Sequence, residues 1–149
     1  MKKPRAKSIN SRQKGKRIER EACKFLETIT GEKWERTSQH CGKSRDSADI
    51  RPVDPKSMYA AIHLEIKGDE SIDVGTKALD DACAQAARDS AGKKWVVLWK
   101  PKGKGWRLTT RVSTVGTQSS TMTSTVTFGS HGVLDYLAAI TNTFTGAKP

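Results

Sequence analysis

Near its start the chain repeats apolar residues at helical spacing. Between Ser11 and about Thr30, residues Ile18, Ala22, Phe25, Leu26 and Ile29 follow the i, i+4, i+7, i+8, i+11 pattern of one buried face. Ser11 offers an N-cap and Gly31 a stop. Trp34 to Ser38 then predicts a short strand, and the polar, Gly-containing stretch from Thr37 to Ser47 a loop. A strand around Ala48 to Arg51, a turn over Pro52 to Lys56 and a central strand from Tyr59 to Lys67 follow. Strand side chains alternate, so Ile62, Leu64 and Ile66 share one face while His63, Glu65 and Lys67 share the other.

Gly68 to Gly75 reads as a second polar loop, and Thr76 to Ser90 as a helix with Leu79, Ala82, Cys83, Ala86 and Ala87 on one face. Gly92 ends it, and Trp95 to Trp99 is a continuous apolar strand of the kind found where a sheet is covered on both sides. A basic turn from Lys100 to Gly105 leads into a strand from Trp106 to Val112. The order of elements predicts an α/β fold, a central mixed β-sheet flanked by helices. Residues 1–10 form a basic arm, 11–112 the core domain and 113–149 a Ser/Thr-rich C-terminal extension. Within that extension Thr125 to Phe128 predicts a strand, and His131 to Ile140 a short helix capped by Ser130.

Charge sharpens this picture. The 149 residues hold 27 Lys and Arg against 16 Asp and Glu, a formal net charge of +11, which favours polyanions and above all nucleic acid. No apolar run reaches membrane-spanning length, and Met1-Lys2-Lys3 leads into further charge instead of a signal peptide. Cys23, Cys41 and Cys83 are widely spaced, outside any zinc-binding pattern, and read as reduced thiols of a cytoplasmic protein.

A carboxylate and an ammonium on one face of a buried strand are costly unless they bind something. Magnesium takes hard oxygen ligands and usually only one or two carboxylates. Asp49 and Glu65, on neighbouring strands, are candidates for that pair, with the main-chain carbonyl of Ile66 as a third oxygen. Lys67 would sit beside the activated water, orient or deprotonate it, and offset charge on a scissile phosphate. Glu19 lies at the edge of the first helix's apolar stripe, within reach of the same face. Asp46 competes with Asp49 but belongs to a loop, as do Asp69, Glu70 and Asp73.

Taken in order, Lys14-Gly15-x-x-x-Glu19-Arg20-Glu21, Ala48-Asp49, Glu65-Ile66-Lys67 and the segment from Val97 to Arg107 resemble the archaeal-type Holliday junction resolvases. These belong to the PD-(D/E)xK, or restriction-endonuclease-like, nuclease superfamily. The resemblance covers roughly residues 11–108. It implies a homodimer that cleaves four-way DNA junctions with Mg2+, or Mn2+ in its place. It also implies that Glu19, Asp49, Glu65 and Lys67 are catalytic, that Asp49 and Glu65 hold the metal with Glu19 as a further candidate, and that Arg20 lies near the phosphate. One of Ser38, Ser44 and Ser47 would match the family's loop serine. Ala48 stands where the superfamily motif has proline, and the tail beyond about residue 110 has no counterpart.

Lys14, Lys16, Arg17 and Arg20 on the first helix, with Lys43, Arg45, Lys100, Lys102 and Lys104 on loops, suit a surface that tracks the phosphates of branched double-stranded DNA without reading bases. Alternatives are a less selective nuclease of the superfamily, of nicking, flap or restriction type, and a non-catalytic junction-binding protein. Trp34, Trp95, Trp99 and Trp106 read as core or dimer-interface residues, His63 as structural, and Gln85 as packed or exposed.

Overall fold

A computed structural model describes residues 11–37, 48–68, 71–115 and 121–144. Helix α1 runs from Ser11 to Thr30, the predicted span. Its stripe sorts by depth: Ala22 and Leu26 are fully buried, while Ile18, Phe25 and Ile29 flank them. Gly31 ends the helix with φ 72°, a left-handed conformation glycine adopts without strain, and its N–H reaches the Glu27 carbonyl at 3.0 Å.

Among the described residues six strands form one sheet in chain order: β1 (Trp34–Arg36), β2 (Ile50–Pro52), β3 (Ile62–Lys67), β4 (Lys94–Trp99), β5 (Arg107–Val115) and β6 (Thr121–Phe128). Neighbours are antiparallel except β3 and β4, which run parallel because helix α2 (Lys77–Asp89) carries the chain back between them. Helix α3 (Ser130–Phe144) closes the order. The sheet is therefore mixed and flanked by helices, an α/β arrangement consistent with the restriction-endonuclease-like fold.

Two apolar clusters cover the two faces of the sheet. Ile62, Leu64, Ile66, Val96, Leu98 and Leu108 pack with α1 and with Val133 and Leu137 of α3. Trp95, Val97 and Trp99 pack with Ile72 and with Leu79, Ala82 and Ala86 of α2. β4 is buried throughout its apolar run, as its pattern predicts, and all four tryptophans lie inside this chain. No helix among the described residues is long and apolar enough to cross a membrane.

Element boundaries differ from expectation where local hydrogen bonds compete with the apolar pattern. The central strand begins at Ile62, not Tyr59, because residues Met58–Ala61 form a 3-10 turn in which the Ser57 hydroxyl accepts from the Tyr59 N–H at 3.2 Å. β2 starts at Ile50, which leaves Asp49 one residue ahead of it. The strand and helix of the tail are longer than predicted, and β6 pairs with β5 along its length. Ser130 donates its hydroxyl to the Trp106 carbonyl at 2.6 Å, which ties α3 to the entrance of β5.

Because Leu137 of α3 is fully buried, truncation should be felt by the whole core. Leu137→Ala is expected to cost about 2–5 kcal/mol in a urea unfolding transition. An unchanged midpoint would mean that α3 contributes nothing to the core.

Candidate active site

β3 presents its polar side chains to the α2 face. In parallel register His63 sits beside Trp95, Glu65 beside Val97 and Lys67 beside Trp99. Glu65 is only 2% exposed, so its carboxylate needs partners. Lys67 Nζ lies 3.3 Å from Glu65 Oε1, and the fully buried His63 brings Nε2 to 3.7 Å from Glu65 Oε2. Lys67 itself is about one-third exposed, at the strand end that faces solvent. One ammonium thus spans the boundary between a buried acid and the outside.

Asp49 is held to the same place by the backbone. Its Oδ2 accepts from the Ile66 N–H at 2.8 Å, between Glu65 and Lys67 in the chain. Its own N–H donates to the Leu64 carbonyl and its carbonyl accepts from Thr37, both at 2.9 Å, so ladder-like bonds continue past the formal start of β2. Burial pushes the Asp49 carboxyl from 3.8 up to about 7, and the charges of Glu65 and then Glu19 act in the same direction. The Ile66 hydrogen bond and Lys67 oppose this without cancelling it. Two acids that cannot separate and one ammonium leave an excess of negative charge.

That excess suits a hard divalent cation, and so does the oxygen set. A residue's N–H and C=O point to the same edge of an extended strand. The Ile66 N–H meets Asp49 on the β2 edge, while the next carbonyl, of Lys67, accepts from the Lys100 N–H on the β4 edge at 3.1 Å. The Ile66 carbonyl therefore faces the Asp49 side. Two carboxylates and one main-chain oxygen match what magnesium takes from proteins.

Glu19 is placed differently. α1 covers the opposite, apolar face of β3, and Glu19 Oε2 is engaged by Arg36 Nε at 2.5 Å with its side chain only 16% exposed. Among the described residues no group of three or more His, Cys, Asp or Glu is arranged to hold a metal. Glu19 is thus near enough to act on Asp49 electrostatically but does not join Asp49 and Glu65 in a three-carboxylate ligand set. Arg36 is the site residue that the sequence reading passed over. Trp34 and Arg36 share a strand face, and Trp34 packs in the α1 cluster, so strand parity alone directs Arg36 toward α1.

Lys14, Lys16, Arg17 and Arg20 are all exposed along the first half of α1. Lys43, Arg45, Asp46 and the serines Ser38, Ser44 and Ser47 lie outside the described residues, as do Asp69 and Glu70. Asp73 lies 3.7 Å from Arg107, and Gln85 is half-buried on α2. Cys23 and Cys83 are free thiols, each raised by burial to about 11 and so unreactive at neutral pH.

A family model described as "Phage putative PDDEXK endonuclease" matches residues 10–143, nearly the whole chain, including β6 and most of α3. No curated protein and no solved structure matches it.

The raised carboxyl of Asp49 has a consequence for stability. Folded protein binds this proton more tightly than unfolded chain, so the contribution is complete below about pH 4, shrinks as pH rises, and is gone above about 7. Asp49→Asn removes the penalty on the ionised form, and its advantage over wild type should grow from pH 4 to 8, to at most about 4 kcal/mol. In urea titrations Mg2+ should stabilise wild type at pH 8 and leave Asp49→Asn unmoved. Equal stability of the two proteins at pH 8 would show that Asp49 bears no excess charge.

Proposed function

This chain belongs to the family of PD-(D/E)xK endonucleases whose model spans it, and we propose that it is a magnesium-dependent, structure-specific endodeoxyribonuclease that cuts four-way DNA junctions as a homodimer. The observation that carries the reading is the cluster at the end of β3: the buried Glu65, Asp49 pinned to the Ile66 N–H, and Lys67 at 3.3 Å from Glu65. Asp49, Glu65 and the Ile66 carbonyl would hold Mg2+, with Mn2+ an alternative. The ion, when bound, supplies positive charge against phosphate oxygens and lowers the pKa of water.

Each side chain then has a task. Glu65 anchors Lys67, whose ammonium donates to a non-bridging phosphate oxygen and orients the attacking water in line with the leaving oxygen. Asp49, pinned by the Ile66 N–H, would give up the proton that burial favours and offer its carboxylate to the ion. Arg36 keeps Glu19 turned toward β1, and the exposed cations of α1 follow the DNA backbone without reading sequence.

Junction preference is supported by the resemblance of the Glu19-Arg20-Glu21 helix, Asp49 and Glu65-x-Lys67 to resolvases. A two-fold dimer would present two such sites to a two-fold junction. The description of the matching family names endonucleases and no branched substrate, which favours a second reading, a less selective nuclease on the same fold.

A labelled four-way junction, a flap and a plain duplex, incubated side by side with and without Mg2+, separate these readings. Paired symmetric nicks confined to the junction, requiring Mg2+ and reduced at least ~10²-fold in Asp49→Asn and Lys67→Ala, are the expected result. Equal cutting of all three DNAs selects the less selective nuclease. Junction binding with no cutting under any condition makes the protein a non-catalytic binder and overturns the proposal.

A further inference from the structure

A cleft of about 320 Å³ opens beside the carboxylate cluster, between the start of α1 and the turn that joins β4 to β5. Lys14, Arg17, Lys100 and Lys102 line it, and Glu21 is the one acid among its described lining residues. Glu21 stands between two of these cations: its Oε1 is 3.6 Å from Arg17 Nε and its Oε2 is 3.6 Å from Lys100 Nζ. Both contacts are looser than a charge-assisted hydrogen bond, and Arg17 is largely exposed, so they contribute little to folding. An anion flanked by cations from two separate elements is nevertheless the arrangement a backbone phosphate would take.

One wall of the cleft is the strand end that carries Lys67. Gly68, directly after Lys67, forms part of its wall, and a Cβ there would come within 2.5 Å of Ile18 Cγ1, so the strand end passes against α1 with no room for a side chain. Lys100 is fixed at both ends: its N–H donates to the Lys67 carbonyl at 3.1 Å, and its ammonium lies 5.7 Å from the Trp106 ring. Lys100 therefore joins the cleft to the strand end that carries Lys67.

We propose that this cleft is a phosphodiester subsite for the strand flanking the cut, and that Glu21 is its resident counter-anion, displaced when a backbone phosphate enters. The inference rests on the nuclease reading. Glu21 thereby sets a threshold: DNA gains the full attraction of Arg17 and Lys100 only where its backbone path brings a phosphate into the cleft.

Anisotropy of a labelled branched DNA in EDTA, over a range of salt, tests this. Lys100→Gln should weaken binding several-fold and reduce the slope of log K against log salt by about one, as expected for one lost phosphate contact, and Lys100→Arg should restore both. Glu21→Gln should tighten binding several-fold, and most of that gain should vanish in Glu21→Gln/Lys100→Gln. Additive effects would reduce Glu21 to a general contribution to net charge, and an unchanged salt slope in Lys100→Gln would remove the phosphate; either overturns the proposal. Cleavage of the same DNA by wild type in Mg2+ is scored separately. Non-additivity without cleavage upholds the subsite while the nuclease reading fails, and cleavage with additive effects does the reverse.

Discussion

Two carboxylates held side by side, Glu65 buried and Asp49 partly buried, set the electrostatics of this site. Glu65 is sealed into the central strand at 2% exposure, and Asp49 is tethered to the N–H of the residue that follows Glu65. Repulsion in such a place has three remedies: a proton, an ammonium or a metal ion. The protein shows the first two, in Asp49 raised to about 7 and in Lys67 drawn to Glu65. A single positive charge shared by two acids leaves the third remedy favourable, because charges in poorly hydrated surroundings attract far more strongly than in water.

The sheet is what keeps these acids together. β3 is bonded on one edge to β4 in parallel register and on the other to β2, and each face is covered by its own apolar cluster. A register slip of one residue would exchange Glu65 with Leu64 or Ile66 and bury a charge in the cluster under α1, so the apolar pattern itself locks the site. The cost of burying Glu65 and His63 falls on well-packed neighbours such as Val97 and Trp99. The hydroxyl chain from Trp99 Nε1 to Thr109 and on to Thr127 extends that support outward to β6.

Legibility of the sequence followed the range of the forces involved. α1 and β4 could be read almost to the residue, because an unbroken apolar period is a local signal and Gly31 a local stop. The alternation along β3 likewise places Glu65 and Lys67 on one face from sequence alone. β6 was visible only at its Thr125–Phe128 end, since the rest of the strand is stabilised by pairing with β5, and no periodicity within the strand reveals that partner. The start of the central strand was misplaced because Tyr59 and the alanines after it look apolar, whereas one hydroxyl at Ser57 turns them into a 3-10 turn. The contacts of Glu21 with Lys100 and of Glu19 with Arg36 join distant segments, and only strand parity hinted at the second.

Charge balance decides which acids are available to a cation. Glu19 is already neutralised by Arg36 at 2.5 Å, in surroundings where both groups are largely screened from solvent. Drawing Glu19 away as a ligand would strand a guanidinium and break a partly buried pair, a loss that scales with burial. Glu65 is held from one side by Lys67, whereas Asp49 accepts from a neutral backbone N–H, too weak to hold its carboxyl at an ordinary value. A cation therefore gains most beside Asp49, next most beside Glu65 and least beside Glu19. The arrangement favours a two-carboxylate centre at the end of β3, with Glu19 acting on it through its field and Arg36 setting how strong that field is.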